Sequence, residues 1–211
     1  LPDDRIFTAR VAPRPKPSQA PFVLVYHGTL ARRLGLDIAI RAVAQARARV
    51  PTIQFRIVGA GEERANLITL RDELGLAGPV TFSDGFVPVH TIPALIADAD
   101  VGVCPLRISG GTDIMLPTKL LEYVSMGIPC IVPRTGTITR YFDERMVQFF
   151  EADNVASLSD SIVALHADPQ RREDIARGAQ LRFANKYRWS LHKAIYLNLV
   201  RSLTVGDIQP A

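Results

Sequence analysis

The sequence predicts an α/β fold, a Rossmann-like doubly wound parallel sheet of about six strands with extra C-terminal helices. Three observations predict it. Short apolar runs alternate with helix-period segments from Pro21 onward, as repeated βα units require. Glycines cluster directly after several of those runs, where the ligand-facing loops of a parallel sheet fall. Helical patterning alone fills the last quarter of the chain.

Residues 1–20 carry Pro2, Pro13, Pro15 and Pro17 among polar neighbours. Proline can neither donate to a ladder nor continue a helix, so this stretch reads as a linker or an edge extension. Strands follow at Phe22 to His27, Ile53 to Val58, Val80 to Ser83, Val101 to Pro105, Cys130 to Pro133 and Val147 to Phe150. Between them Leu36, Ile40 and Val43, and then Leu67, Leu70 and Leu74, recur at helical spacing and give each segment one apolar stripe. A shorter helix fits Ile92 to Ala97. Pro117 opens another, which Gly127 and then Pro129 close. Leu158, Ile162 and Leu165 mark a helix after the last strand, and helical patterning continues from about Arg171 to Tyr187 and from Trp189 to about Leu203. The domain therefore spans 21–205, with 206–211 a tail.

Composition narrows the function classes. Hydrophobic content of 47% with 22% charged residues is globular and argues against disorder or a disulfide scaffold. The longest stretch without formal charge, Pro17 to Ala31, is about 15 residues and too short to span a bilayer. A net charge of +4 is spread along the chain instead of forming a run, which does not fit a nucleic-acid partner. Cys104 and Cys130 lack metal-ligand spacing and lie in apolar runs, as buried thiols do. The chain begins at Leu1 and shows no signal segment, which reads as a piece of something longer. Lysine is scarce, standing only at positions 16, 119, 186 and 193, so each position carries information.

Several loops have the residue types of an anion site. His27, Gly28 and Thr29 lead through Arg32 and Arg33 to Gly35, a turn offering backbone amides and two cations to a phosphate, or simply a tight turn with solvated arginines. Val58, Gly59, Ala60, Gly61 begins like a dinucleotide fingerprint, but Arg64 stands where the third glycine belongs, and Glu62 and Glu63 would repel a pyrophosphate. Asp98 and Asp100 have the form of a D-x-D metal clamp, yet they precede the fourth strand, at the end of the sheet away from the ligand loops. The run Leu116 to Tyr123 is the most informative. Lys119 and Glu122 share one face of a helix start, where the macrodipole disfavours a cation unless an anion binds beside it. A diphosphate held by Lys119 and the helix amides, with Glu122 accepting from ribose hydroxyls, fits that pattern; a plain Lys/Glu surface pair is the alternative. His27, His90, His166 and His192 pair with no nucleophile motif and read as structural or surface residues.

Together these segments resemble the nucleotide-sugar donor-binding C-terminal domain of family 4 (group 1) GT-B glycosyltransferases. The carrying residues are His27 to Asp37, Val58 to Gly61, Val80 to Val87 and the block Leu116 to Pro129, over about residues 21–188. The resemblance implies a Rossmann-like lobe of a retaining, cytoplasmic hexosyltransferase of bacterial polysaccharide biosynthesis, with no cofactor and no metal required. It implies that Glu122 binds the ribose and Lys119 the diphosphate, with Arg33 the second catalytic cation. Gly28 and Thr29 would approach the phosphates through their backbone, Gly59, Thr118 and Leu120 would line the donor site, and Phe86 and Val87 would frame the base. Many relatives carry a Glu-x7-Glu pair; here Ile114 stands eight residues before Glu122, and the acidic Asp113 beside it is the donor-binding residue the resemblance implies there. Many also have arginine and lysine where this chain has Thr29 and Leu34, which puts the phosphate charge on Arg33 and Lys119.

The partners implied are a nucleotide-sugar donor and an N-terminal acceptor-binding domain of the same parent chain, with at most peripheral membrane association of that parent. Two other functions remain open on the sequence: a non-catalytic nucleotide-sugar binding module, and a lobe of a GT-B nucleotide-sugar epimerase.

Overall fold

The computed structural model describes residues 1–9 and 20–205. Six parallel strands, β1 (Phe22–His27), β2 (Ile53–Val58), β3 (Val80–Phe82), β4 (Val101–Val103), β5 (Cys130–Pro133) and β6 (Gln148–Phe150), form one sheet in the order β3-β2-β1-β4-β5-β6. The expected doubly wound sheet is present. β4 is shorter than the sequence suggests because Pro105 has no N–H to donate; Cys104 still donates to Ile131 O at 3.0 Å.

Alternation along β1 builds two cores. Phe22, Leu24 and Tyr26 face one layer, which is completed by α1 (Leu36–Ala46), α2 (Arg64–Glu73) and α7 (Val155–Ala167). Val23 and Val25 face the other, with α5 (Thr118–Met126), α6 (Gly136–Tyr141) and α8 (Pro169–Lys186). Each fully buried leucine or isoleucine in these layers contributes about 2 kcal/mol. Two short helices, α3 (Ile92–Ile96) and α4 (Gly110–Asp113), flank β4, and α9 (Trp189–Val205) closes the chain. Among the described residues no helix is long and apolar enough to cross a membrane.

The strand order reverses at one place. Crossovers step from β1 through β2 to β3 on one side, then restart at β4 on the other, so the loops after β1 and β4 leave the sheet in opposite directions. The β1 and β4 register covers only Leu24↔Val101 and Val25↔Gly102, so the switch point lies between these two strands. In parallel sheets the crevice outside the carboxyl ends of the strands at such a point is where ligands bind.

Residues 10–19 of the proline-rich start lie outside the described residues, as does the tail at 206–211. Residues 1–9 pack on the domain. Phe7 is 2% exposed within the second core, and Asp4 accepts from Ser190 Oγ at 2.7 Å at the start of α9.

Candidate functional site

Helix α5 brings the site together. Pro117 caps it in an extended conformation (ψ 127°), so the helix starts at Thr118, one residue later than a proline inside the first turn would give. At its other end Gly127 adopts φ 73°, and the N–H groups of Gly127 and Ile128 donate to Val124 O and Tyr123 O. That pair of bonds is the Schellman closure. Leu120, Leu121, Tyr123 and Val124 bury one face against the sheet, which turns Lys119 and Glu122 toward the carboxyl end of β1.

Lys119 lies across Gly28. A Cβ on Gly28 would stand 3.3 Å from Lys119 Cε, and Nζ sits 4.8 Å from the centroid of the Tyr26 ring. The Tyr26 hydroxyl donates to Thr29 O at 2.6 Å and so fixes the first loop. Burial lowers the pKa of Lys119; Cys104 and Glu122 counteract this, and Arg33 adds to it. The Arg33 charge thus acts on Lys119. Arg33 stands exposed in a 3-10 turn, Arg32–Leu34, and an anion beside both residues would relieve their mutual repulsion.

Glu122 is buried enough to be pushed up to about 7, although Lys119 favours its charge. Its Oε2 lies 3.3 Å from His27 Nε2. Burial, assisted by the Lys119 charge, holds His27 down at about 3, so the imidazole is neutral. Lys119 and Glu122 are therefore both partly desolvated on one face of α5 and feel each other's charge, unlike solvated surface side chains.

The glycine loops have a packing cause. Gly59 has φ 143°, and a Cβ there would stand 2.0 Å from Gly28 O; one on Gly61 would stand 2.3 Å from Leu30 O. Leu30 N donates to Ala60 O and Glu63 N donates to Leu30 O, so the loops after β1 and β2 are zipped together through their backbones. Arg64, in the place of the missing third glycine, donates to Ser83 O at 3.0 Å and stacks over Phe82. Next to it Ser83 Oγ accepts from Gly59 N at 2.9 Å, which brings the loop of Phe86 and Val87 beside the glycines. Phe86 is 82% exposed and free to meet a planar group.

Other residues that the sequence singles out have partners or positions of their own. Asp113 Oδ1 accepts from Gly136 N at 2.7 Å and caps α6. Leu120 is fully buried and its N–H donates to Pro117 O, which leaves Thr118, exposed, as the nearer donor at the helix start. Asp98 pairs with Arg56 at 2.8 Å and Asp100 accepts from Val23 N at 2.8 Å, at the amino end of β1 and away from the crevice. Cys104 and Cys130 are buried free thiols, and burial pushes Cys104 up to about 12.

Two further residues matter to the site. His27, which heads the first loop in the sequence and reads there as structural or surface, reaches Glu122. Arg107 ion-pairs with both Asp37 and Asp153, and its carbonyl accepts from Thr112 Oγ1, so it binds the loop after β4 to α1 and to the loop after β6.

The family model described as glycosyl transferases group 1 matches residues 21–168. The chain is 33% identical over 152 residues to a GDP-mannose-dependent alpha-(1-6)-phosphatidylinositol monomannoside mannosyltransferase of Mycolicibacterium smegmatis, over 71% of this chain and 40% of the relative. It is 30% identical over 201 residues to a D-inositol 3-phosphate glycosyltransferase of Pseudarthrobacter chlorophenolicus, over 90% of this chain and 46% of the relative. It thus spans less than half the length of these curated relatives. Among solved structures, the C-terminal domain of a glycosyl transferase group 1 family protein (LpcC) from Francisella tularensis superposes with a TM-score of 0.71 at 18% identity, over 90% of this chain and all of that one. Anabaena HepE in complex with UDP superposes with a TM-score of 0.75 at 19% identity, over 98% of this chain and 56% of that one. The chain belongs to the group 1 glycosyltransferases and has the fold of their C-terminal domain.

Proposed function

We propose that this chain is the donor-binding half of a retaining hexosyltransferase that moves a sugar from a nucleoside diphosphate to an acceptor. The observation that carries the reading is the convergence of Lys119, Glu122 and Gly28 at the crevice where the strand order reverses. A diphosphate fits beside Lys119, Arg33 and the first amides of α5, and its negative charge offsets the cost of holding two cations together. Glu122 faces the same space as an acceptor for the ribose diol, and the exposed Phe86 with Val87 supplies a surface for the base. Anabaena HepE, which shares the fold, is described with UDP bound, and the mycobacterial relative is named as GDP-mannose-dependent.

In the reaction the bond between the anomeric carbon and the diphosphate oxygen breaks, and its electron pair leaves with the diphosphate. An acceptor hydroxyl oxygen forms the new bond on the same face of the sugar, and its proton passes to the departing phosphate. Lys119 and Arg33 stabilise the charge that develops on that oxygen, which is electrostatic catalysis and gives no task to a metal ion. Relatives of which the matched region makes up only 40% and 46% support an acceptor-binding half elsewhere in the parent polypeptide, so the chain alone binds donor without transferring it. The reading places the parent in the cytoplasm, in polysaccharide assembly and at most peripheral to a membrane.

Calorimetric titration of UDP, GDP and ADP into the chain, with and without chelator, tests the site. At least one diphosphate should bind, and Lys119→Ala and Glu122→Ala should each weaken it by about 10-fold, the worth of one hydrogen bond to a charged group. Unchanged affinity in both variants rejects the assignment, and loss of binding in chelator rejects the metal-free mechanism.

A further inference from the structure

We propose that His27 is the positioning residue of Glu122, its Nε2–H holding one carboxylate oxygen so that the other meets the ribose hydroxyls of a bound nucleoside diphosphate. The inference rests on the donor-site reading above and adds a residue to it.

The His27 backbone is pinned and its ring lies between two aromatic neighbours. Its own backbone N–H donates to the Tyr123 hydroxyl at 3.1 Å, and the Tyr123 ring meets the imidazole edge-on at 4.9 Å between centroids. Phe7 stacks on it at 6.4 Å with the planes 20° apart. The side chain is 3% exposed, so its orientation is set by packing and not by solvent. Nε2 stands 3.3 Å from Glu122 Oε2, yet among the described residues it is a buried polar atom without a hydrogen bond. A buried donor left unsatisfied is costly, and few protein folds retain one without a use for it.

The chemistry of the pair fits one task. A neutral imidazole carries a single N–H and adds no charge to a site that already holds Lys119 and Arg33. Among the described residues Glu122 forms no ion pair with a lysine or arginine, so His27 is the side chain that can fix its carboxylate. A small rotation of that carboxylate aligns Oε2 with Nε2–H and commits Oε1 to the crevice. Lys119, one turn earlier on α5, stays free for the diphosphate. His27 touches neither the reacting carbon nor the leaving group, and acts only through Glu122.

The test compares ribose with ribose lacking its hydroxyls. Whichever of UDP or GDP binds the wild-type chain is titrated beside its 2′,3′-dideoxy form into the full chain, His27→Phe and His27→Gln. Phenylalanine keeps the stack and removes the donor, while glutamine places an amide N–H near the position of Nε2. The expected result is that H27F weakens the ribonucleotide about 5- to 10-fold and leaves the dideoxy form within about twofold, while H27Q retains the preference. An equal loss for both ligands in H27F at an unchanged melting temperature makes His27 merely structural and overturns the inference, as does an unchanged ribose preference. Should H27F not fold, H27Q is compared with His27→Asn, whose shorter amide cannot reach Glu122; equal ribose preference in those two also overturns it. If the wild type binds both forms alike, the ribose role of Glu122 falls and this inference with it. If the wild type prefers ribose and only the His27 prediction fails, the donor-site reading stands.

Discussion

Lys119 passes over Gly28 at the point where the backbone of the first loop adopts φ 118°, so a glycine conformation and a cation are stacked in one small volume. An alanine at 28 would strain the backbone and stand 3.3 Å from Lys119 Cε, which a flexible side chain can relieve by moving. Gly59 has no such relief, because its Cβ would meet a carbonyl oxygen at 2.0 Å. Gly28→Ala should therefore cost about 1–2 kcal/mol and weaken diphosphate binding several-fold, whereas Gly59→Ala should cost more than about 3 kcal/mol. Urea denaturation of both variants checks the order. Equal costs would show that the two loops are not zipped as described.

The raised Glu122 makes a stability prediction with a definite sign. Burial lifts its pKa from 4.5 to about 7, so between those values the folded chain binds the proton more tightly than the unfolded chain. That contribution is complete below 4.5 and is lost as pH rises through about 7. His27 runs the other way: lowered from 6.5 to about 3, its contribution is present above 6.5 and is lost as pH falls through about 3. Glu122→Gln removes the first dependence and keeps the second. Relative to wild type, E122Q should gain up to about 3 kcal/mol between about pH 5 and about pH 8. Chemical denaturation at the two pH values measures the difference, and a gap that does not change with pH would mean that the carboxyl group is well solvated.

Tyr123 fills a break in the sheet. The ladder between β1 and β4 stops at Val25↔Gly102, and the Tyr123 hydroxyl takes its place by accepting from His27 N at 3.1 Å and donating to Val25 O at 3.3 Å. Gly102 makes room for the ring, since a Cβ there would stand 2.6 Å from Tyr123 Cδ2. Tyr123→Phe should cost about 1–3 kcal/mol by leaving the buried His27 N–H unpaired, and Gly102→Ala a similar amount by overpacking. Because both shift β1 at His27, both should also weaken nucleotide binding, which calorimetry on the folded variants reads directly.

What could be read from the sequence was local. The apolar runs of β1 and β2, the stripes of α1 and α7, and the Pro117 and Gly127 boundaries of α5 depend on residues a few positions apart, and all appear in the structure. The failed fingerprint at Gly59 to Arg64 was legible for the same reason. Contacts over long sequence separations were not. Arg107 joins Asp37 and Asp153, 70 and 46 residues away, and no spacing rule predicts such a clamp. Phe7 is a single aromatic in a polar, proline-rich stretch, without the periodicity that marks a core residue, yet it is buried against the second layer. Asp113 lies next to the position eight residues before Glu122, but only the fold reveals that its carboxylate is drawn to the N–H of Gly136.

Helix α9 makes the last prediction. Ile195, Leu199 and Leu203 follow one another at four-residue spacing and are 66%, 56% and 70% exposed, with Tyr196 and Val200 beside them at 56% and 39%. A continuous exposed apolar stripe of this kind is an association surface. The chain on its own should therefore self-associate as concentration rises, through α9 and not through the crevice. Leu199→Glu with Leu203→Glu should abolish that association and change folding stability by less than about 0.5 kcal/mol, because neither side chain contributes to the core. Sedimentation velocity over a range of concentrations separates the outcomes. A wild-type chain that stays monomeric throughout, or a double variant that still associates, would show that another surface governs assembly. Diphosphate affinity should be the same in both chains, since Lys119 and Glu122 make none of their described contacts with α9.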